Sequence, residues 1–148
     1  MKSLYFEAIT MIERLHYVFM EVLDRDLIRM EAPEVTSVQA LLLYNIGTSQ
    51  LTVGDLTQRG YYLGSNVSYN LKKMVQAHYL EQISSLHDRR LSYVKLSKKG
   101  LDLYAKLDTA LEQQAHLLHQ EGLNNQNLAP FCQTLHALSD FWTERLTH

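Results

Sequence analysis

The sequence predicts a mainly α-helical protein with one small β-hairpin. Long segments repeat apolar residues at steps of three and four, and two short strand-like segments flank a polar loop. Only two prolines and six glycines interrupt the 148 residues, a length that suits one domain with a sizeable core. The single cysteine excludes an intrachain disulfide framework and is typical of a reducing compartment.

The first predicted helix is apolar over much of its circumference. Its main face repeats at steps of three and four from Tyr5 to Leu27. A helix with so wide an apolar surface buries more than one side, so we expect it to pack on its own domain and on a second subunit. Pro33, in the stretch 31–34, ends it. A second set of apolar residues widens the face: Leu4, Met11, Leu15, Val18 and Val22.

Three short helices are predicted next from their start and stop signals. Thr36 and Gln39 form a capping box before a helix that Gly47 ends. Thr52 begins a second helix, of barely two turns, in the same way. After the link 60–64, Ser65 is expected to cap the third helix. The inner face of that third helix comprises Val67, Leu71, Met74 and Val75.

The remaining segments predict a hairpin and two further helices. Segments 79–84 and 91–96 are strand-like and are joined by a charged connection. A long helix begins at 97–100, and Gly122 ends it. The last helix is expected to begin near Pro130. Short helices joined by a tight link and followed by a basic hairpin are the plan of a winged helix-turn-helix.

Charge is unevenly distributed along the chain. Residues 51–100 hold eight basic and three acidic side chains, an excess of five positive charges. The other residues hold six basic and thirteen acidic side chains, so the net charge of -2 hides a basic middle inside an acidic frame. This pattern is expected for phosphate binding, and the alternative is a solvated face without a partner.

The third short helix has a polar outer face on which no acidic residue occurs between positions 64 and 80. Asparagine amides can pair with adenine, hydroxyl groups can donate to phosphates, and lysines farther along the helix meet the DNA backbone. The alternative is an ordinary polar surface helix. The candidate DNA-binding residues of this helix are Ser65, Asn66, Ser68, Tyr69, Asn70, Lys72 and Lys73.

The tip of the predicted hairpin carries Asp88, Arg89 and Arg90. Two arginines at this point can enter a minor groove or clamp phosphates, and both are candidate DNA-binding residues. Asp88 can orient Arg90 through a charge-assisted pair. The alternative is a loop that only increases solubility.

Together these motifs resemble the MarR family of bacterial transcriptional regulators. The similarity covers about residues 36–105 and rests on Thr36-x-x-Gln39, LTVGDL at 51–56, the helix 65–77, the DRR loop and LSKKG at 96–100. Many relatives have a glycine before the first wing strand, where this chain has Ala77, His78 and Tyr79. The stretch 59–73 further resembles a subgroup that includes regulators of L,D-transpeptidase genes, which are linked to cell-wall remodelling and stress.

The resemblance implies a ligand-responsive regulator, either a repressor or an activator, that binds pseudo-palindromic double-stranded DNA as a homodimer. Because no targeting segment is visible, we expect a cytoplasmic protein. Each recognition helix would lie in a major groove, about 34 Å from the other. Residues 1–34 and 101–148 would form interlocking dimerisation helices, and 35–100 the winged helix-turn-helix of one compact domain. A small aromatic effector would bind between these parts. The candidate pocket residues are His16, Tyr17, Phe19, Tyr44, Tyr61 and Tyr62.

Other chemistries are not favoured by the sequence. Glu112, His116 and His119 share one helix face, but without a cysteine cluster or an H-E-x-x-H motif we expect polar or interfacial histidines, no metal and no cofactor. Cys132, beside Phe131, is expected to be a buried, inert thiol.

No enzyme motif and no membrane-spanning apolar run occurs in the sequence. We therefore expect neither catalysis nor membrane association. The alternative function is a winged-helix protein-interaction module that does not read DNA.

Overall fold

The structure is a computed structural model that describes residues 1–58, 64–84 and 92–147, with the backbone alone at 64 and 65. In these ranges the predicted mainly α-helical fold with a two-stranded wing is confirmed. The elements in chain order are α1 (Lys2–Arg29), α2 (Ser37–Ile46), α3 (Val53–Gln58), α4 (Gly64–Gln76), β1 (Leu80–Ser84), β2 (Ser92–Leu96), α5 (Lys98–Gln120) and α6 (Asn125–Leu146). The chain forms two compact units, Met1–Asp108 and Thr109–His148.

The core of the first unit is formed by α1 to α4, the hairpin and the start of α5. The predicted inner face of α4 is confirmed, because Val67, Leu71 and Met74 are buried and Val75 is half-buried. Burying a side chain of this size stabilises a fold by roughly 1.5–3 kcal/mol. The largest fully buried side chains are Leu27, Leu42, Leu43, Ile46, Leu56, Met74 and Val67.

Both predicted capping boxes are present. The Thr36 hydroxyl accepts from the Gln39 N–H and the Gln39 side chain accepts from the Thr36 N–H, each over 3.2 Å. Thr52 and Asp55 exchange equivalent bonds of 2.9 and 3.0 Å before α3. These bonds satisfy backbone donors that helix starts otherwise leave unpaired.

The wing is an antiparallel pair in which Leu80 lies opposite Leu96 and Ser84 opposite Ser92. Leu51 adds a third segment to it. The Leu51 N–H donates to the Val94 carbonyl over 3.1 Å, and the Val94 N–H donates to the Leu51 carbonyl over 2.8 Å. Sequence reasoning missed this bridge because one paired residue has no alternating pattern.

Two predicted helix starts were misplaced. Helix α4 begins at Gly64, so Ser65 lies inside the helix and not before its first residue. Helix α6 begins at Asn125 and contains Pro130 in its second turn. The Asn124 side chain accepts from the Gln126 N–H over 2.9 Å, which caps the helix well before the proline. Pro130, which lacks an N–H, removes only one bond from the second turn.

The described residues of the second unit, 109–147, are exposed or half-buried. None of the residues of α6, all of which are described, is buried. Cys132 is exposed, so the expectation of a buried thiol was wrong. Phe131, the apolar neighbour on which that expectation depended, is itself 48% exposed. Within the described ranges, no helix is long and apolar enough to cross a membrane.

Candidate nucleic-acid interface

Helix α4 presents a polar surface opposite its buried stripe. It packs against α3, α2 and β1, which hold its apolar side. The predicted side chains Asn66, Ser68, Tyr69, Lys72 and Lys73 are all exposed on this helix. Other predicted residues lie outside the described side chains, namely Ser65, Asp88, Arg89, Arg90, Tyr61 and Tyr62.

Tyr69 is an aromatic residue among these exposed side chains, at 61% exposure. The Lys73 ammonium lies 5.7 Å from the centroid of its ring, one turn along the helix. Such a contact keeps the cation close to the aromatic face while leaving it open to solvent. The two residues form an amphipathic, positively charged ridge that suits contacts to phosphate and sugar.

Asn70 is oriented differently from its neighbours. It is half-buried, its Oδ1 accepts from Gln39 Nε2 over 3.3 Å, and its Nδ2 donates to the Asn66 carbonyl over 2.9 Å. Sequence reasoning grouped it with the outer face. Helical spacing contained the signal, because Asn70 lies three residues after Val67 and four before Met74, at the edge of the buried stripe.

The end of α4 is closed by a left-handed residue. The Tyr79 N–H donates to the Met74 carbonyl over 3.0 Å and the His78 N–H to the Val75 carbonyl over 3.1 Å. His78 has φ of 67°. This pair of bonds is the Schellman motif, which favours glycine at the position that His78 occupies. The missing glycine noted in the sequence therefore changes the cost of this turn and not its geometry.

Ser97 joins the beginning of α5 to this turn. Its hydroxyl donates to the His78 carbonyl over 2.6 Å and accepts from the Gly100 N–H over 3.1 Å. Its own N–H donates to the Tyr79 carbonyl over 3.0 Å. The serine of the LSKKG motif thus caps α5 and anchors it to the end of α4.

Three residues that sequence reasoning did not connect meet at the base of the wing. The buried Tyr79 donates its hydroxyl hydrogen to the Glu34 carboxylate. Lys99 Nζ lies 4.3 Å from the Tyr79 ring centroid and donates to the Ala77 carbonyl over 3.1 Å. No local pattern predicts this cluster, because Glu34 and Tyr79 are far apart in the sequence.

The pKa values of Tyr79 and Glu34 are shifted in opposite directions. Burial, with a contribution from the Glu34 bond, raises the pKa of Tyr79 to about 12. The hydrogen bond from Tyr79 lowers the pKa of Glu34 from its ordinary value. At neutral pH the pair is therefore a neutral phenol bonded to an ionised carboxylate, which is the stronger, charge-assisted form of the bond.

A cleft of about 470 Å³ separates α4 from the hairpin. Its walls are apolar and include Val53, Leu71, Val75 and Val94, and Lys72 lies among its polar lining residues. Since Lys72 also belongs to the exposed face of α4, the cleft adjoins the candidate DNA-binding surface.

The candidate effector residues are distributed over several environments. The rings of His16 and Tyr17 are 6.1 Å apart on an exposed part of α1. Tyr44 stacks on Tyr104 with ring centroids 5.0 Å apart and donates to Asp108 over 2.8 Å. Phe19 packs against the core. The proposed grouping of these side chains into one pocket remains a prediction.

Glu112, His116 and His119 lie on α5. In the part of the chain that the structure describes, no group of three or more His, Cys, Asp or Glu side chains could hold a metal ion. His116 Nε2 instead lies 3.2 Å from Gln120 Nε2, in a side-chain hydrogen bond along α5.

Comparison with known proteins agrees with this geometry. Residues 35–100 match the family model described as a winged helix DNA-binding domain. A MarR/EmrR family regulator from Acinetobacter sp. ADP1 is 18% identical, with a TM-score of 0.78 over 93% of this chain and 96% of its own. FabT of Streptococcus pneumoniae, solved in complex with DNA, is 19% identical, with a TM-score of 0.65 over 91% of this chain and 96% of its own.

The exposed helix, the wing and these matches define a winged-helix protein. A sequence relative narrows the class. The exopolysaccharide II synthesis transcriptional activator ExpG of Rhizobium meliloti (strain 1021) is 36% identical over 138 residues, which are 93% of this chain and 71% of ExpG. The chain belongs to the MarR family of winged-helix transcriptional regulators. It is thus a regulator and not an enzyme, as the sequence predicted.

Proposed function

We propose that the chain is a cytoplasmic, homodimeric, ligand-responsive regulator that binds pseudo-palindromic double-stranded DNA. The outer face of α4 carries this proposal. It is exposed and acid-free and holds Lys72 and Lys73, as a helix that enters a major groove requires. Arg89 and Arg90 of the wing would add contacts to the minor groove or the phosphates.

The DNA-bound relatives support this function. FabT was solved with DNA, as was MepR of Staphylococcus aureus, and both share the fold of this chain. Electrostatics supports it as well, since the acidic frame disfavours DNA contact away from the basic middle.

The apolar surfaces of α1 and α6 support the homodimer. The second apolar set of α1 includes Leu15 and Val18, both about half exposed in the single chain. Phe131 and Phe141 of α6 are exposed to a similar degree. Exposed apolar surface on this scale marks a site of protein–protein contact. A second copy of the chain would cover the apolar faces of α1 and α6. Residues 1–34 and 101–148 would supply the dimerisation helices.

The regulated genes are proposed from two similarities. ExpG activates exopolysaccharide II synthesis, and segment 59–73 resembles regulators of L,D-transpeptidase genes. Both point to genes of the cell surface or its stress responses. The resemblance leaves open whether the chain represses or activates transcription, and ExpG is a transcriptional activator. Transcription from the bound promoter, measured with and without the protein, decides between repression and activation.

Selection from a random duplex pool, followed by footprinting of the chain's own upstream region, tests the proposal. We expect a pseudo-palindromic site and saturable binding that weakens steeply with salt. Binding without any sequence preference would contradict it and would favour the alternative of a protein-interaction module. A screen of aromatic compounds tests the effector, which should raise the Tm and weaken DNA binding.

A further inference from the structure

A directed series of hydrogen bonds connects the start of α2 to α4, the proposed recognition helix. The Thr36 N–H donates to Gln39 Oε1 over 3.2 Å. Gln39 Nε2 donates to Asn70 Oδ1 over 3.3 Å. Asn70 Nδ2 donates to the backbone carbonyl of Asn66 over 2.9 Å. Each residue in the series donates to the next one.

The direction of this series is fixed at both ends by the backbone. The Thr36 N–H can only donate, so the oxygen of Gln39 faces it and the Gln39 amide nitrogen faces Asn70. The Asn66 carbonyl can only accept, so the amide nitrogen of Asn70 faces it. The two side-chain amides therefore have one consistent orientation, and reversing either one breaks two bonds.

This geometry changes the role expected of Asn70. Reading adenine in the major groove takes both the donor and the acceptor of one asparagine amide. In Asn70 both ends are bonded within the protein, and the side chain is half-buried. Asn66 is exposed and lies one turn earlier on α4, so it is the better candidate for base contact.

We infer that Gln39 is a positioning residue of the recognition helix. Val67 and Leu71 hold α4 through apolar packing, which has no preferred direction. The bond from Gln39 to Asn70 is directional and fixes the rotation of α4 about its axis, and with it the direction of Asn66. The inference rests on the proposed DNA-binding function and assigns a part of its sequence preference to a residue outside the recognition helix.

Gln39→Glu separates this role from helix capping. A glutamate at position 39 still accepts from the Thr36 N–H, as in the usual capping box, but presents an acceptor to Asn70 Oδ1. Thr36→Ala is the matched control, since it removes the bond from the Gln39 N–H to the threonine hydroxyl and leaves the side-chain series intact. Asn70→Ala, alone and combined with Gln39→Glu, tests whether the two residues act together.

The measured quantity is the ratio of the Kd for a scrambled duplex to the Kd for a duplex selected by the wild type from a random pool. Because the added carboxylate repels both duplexes, the ratio isolates sequence preference from net charge. We expect Gln39→Glu to lower the ratio by about threefold to tenfold, the effect of one hydrogen bond. Asn70→Ala should lower it similarly, and the double variant no further. Thr36→Ala should lower the Tm but keep the ratio.

An unchanged ratio in Gln39→Glu, or additive losses in the double variant, would overturn the inference. A wild type without sequence preference would instead overturn the proposed function, and with it the positioning role of Gln39. The bond itself is then decided by NMR of the Gln39 side-chain amide, whose hydrogens donate to Asn70 Oδ1. These hydrogens should exchange slowly in the wild type and in Thr36→Ala and rapidly in Asn70→Ala, and equal exchange in all three would show that the bond does not form.

Discussion

Gly100 lies so close to the Tyr79 carbonyl that a β-carbon at position 100 would stand 2.2 Å from the Tyr79 oxygen. The Tyr79 carbonyl cannot easily move away, because it also accepts a hydrogen bond from the Ser97 N–H. This contact gives a physical reason for the glycine of the LSKKG motif. Only a residue without a side chain lets α5 start against the end of α4.

Gly100→Ala should therefore destabilise the protein. We expect a loss of about 1–3 kcal/mol in the free energy of unfolding, the usual cost of forcing an extra methyl group into a filled site. Urea denaturation measures it. Gly54→Ala is the control, since Gly54 is exposed in α3 and a β-carbon there would meet nothing closer than 3.6 Å. It should be neutral or stabilising by up to about 1 kcal/mol, and equal losses in the two variants would contradict the assignment.

In the described part of the chain, three helices end with the same left-handed turn, but only one of the three has a glycine there. The residues are Glu31 with φ of 61° after α1, His78 with φ of 67° after α4, and Gly122 with φ of 92° after α5. A left-handed backbone conformation costs a non-glycine residue roughly 1–2 kcal/mol. Glycine avoids this cost, but its greater freedom in the unfolded state offsets part of the gain in stability. His78→Gly should thus raise the free energy of unfolding by about 1 kcal/mol.

Gly122→Ala provides the opposite test of the same effect. A β-carbon at Gly122 would meet nothing within 4 Å, so any cost comes from the backbone alone. We expect a loss of about 1 kcal/mol. His78→Ala should leave stability near that of the wild type, because alanine and histidine are disfavoured alike in this conformation. If His78→Gly and His78→Ala have the same Tm, the turn is not strained.

The bond between Tyr79 and Glu34 predicts a defined pH dependence. The folded pKa of Tyr79 is raised to about 12, so its contribution is present below the unfolded value of 10.0 and is lost as the pH rises through the folded value. The folded pKa of Glu34 is lowered, so its contribution is present above 4.5 and is lost as the pH falls through the folded value.

Tyr79→Phe should remove both effects. Glu34 is exposed, so solvent screening limits the bond to about 1 kcal/mol, and we expect that difference from the wild type to stay constant between pH 5 and 9. It should shrink in acid and in alkali. Glu34→Gln keeps an acceptor and should abolish only the acid limb. A difference that does not vary with pH would mean that the phenol acts through packing alone.

The sequence predicted those parts of the fold that depend on near neighbours. Thr36 and Gln39 are three residues apart, and the stripe of Val67, Leu71 and Met74 repeats within one helix, so periodicity and capping rules identify them. The start of α6 was misplaced because proline is common at the first position of a helix. Asn124 and Asn127 do not form the usual capping-box pattern of serine or threonine followed by glutamate or glutamine. The cap of α6 became evident only from the bonds to Gln126 and Asn127.

Contacts between distant segments had no such signal. Gln39 bonds Asn70, and Glu34 bonds Tyr79, across 31 and 45 residues. Each of these side chains is polar, and polar residues are usually exposed. Their partners follow from the packing of α2, α4 and the wing base, which no local pattern contains. This is why Asn70 was grouped with the DNA-reading residues although both ends of its amide are bonded within the protein.

The lysines of α4 should contribute through phosphate contacts. Lys72→Ala and Lys73→Ala are each expected to reduce the slope of log Kd against log salt concentration by about 1 and to weaken binding to all duplexes alike. Arg89→Ala with Arg90→Ala should act in the same way. Lys106→Ala is the control, because Lys106 lies on α5 and donates to the Met30 carbonyl. If the α4 and wing variants all keep the salt slope of the wild type, DNA binds to another surface.

The second apolar set of α1 should hold the dimer together. Its members Leu4, Met11, Leu15, Val18 and Val22 follow one another at steps of seven, four, three and four, and all are exposed in the single chain. That spacing forms one stripe along a helix, separate from the buried Leu23 and Leu27, and it is typical of packing against another helix. We expect the wild type to sediment as a dimer at micromolar concentration.

Leu15→Glu combined with Val18→Glu should yield a folded monomer with much weaker DNA binding, because two unpaired charges cannot be buried in an apolar interface. Sedimentation velocity measures the mass, and circular dichroism verifies the helix content. Thr10→Glu adds an acid at an exposed polar position of the same helix and should remain dimeric. A monomeric wild type, or a double variant that still dimerises and binds DNA normally, would assign the stripe to a different partner.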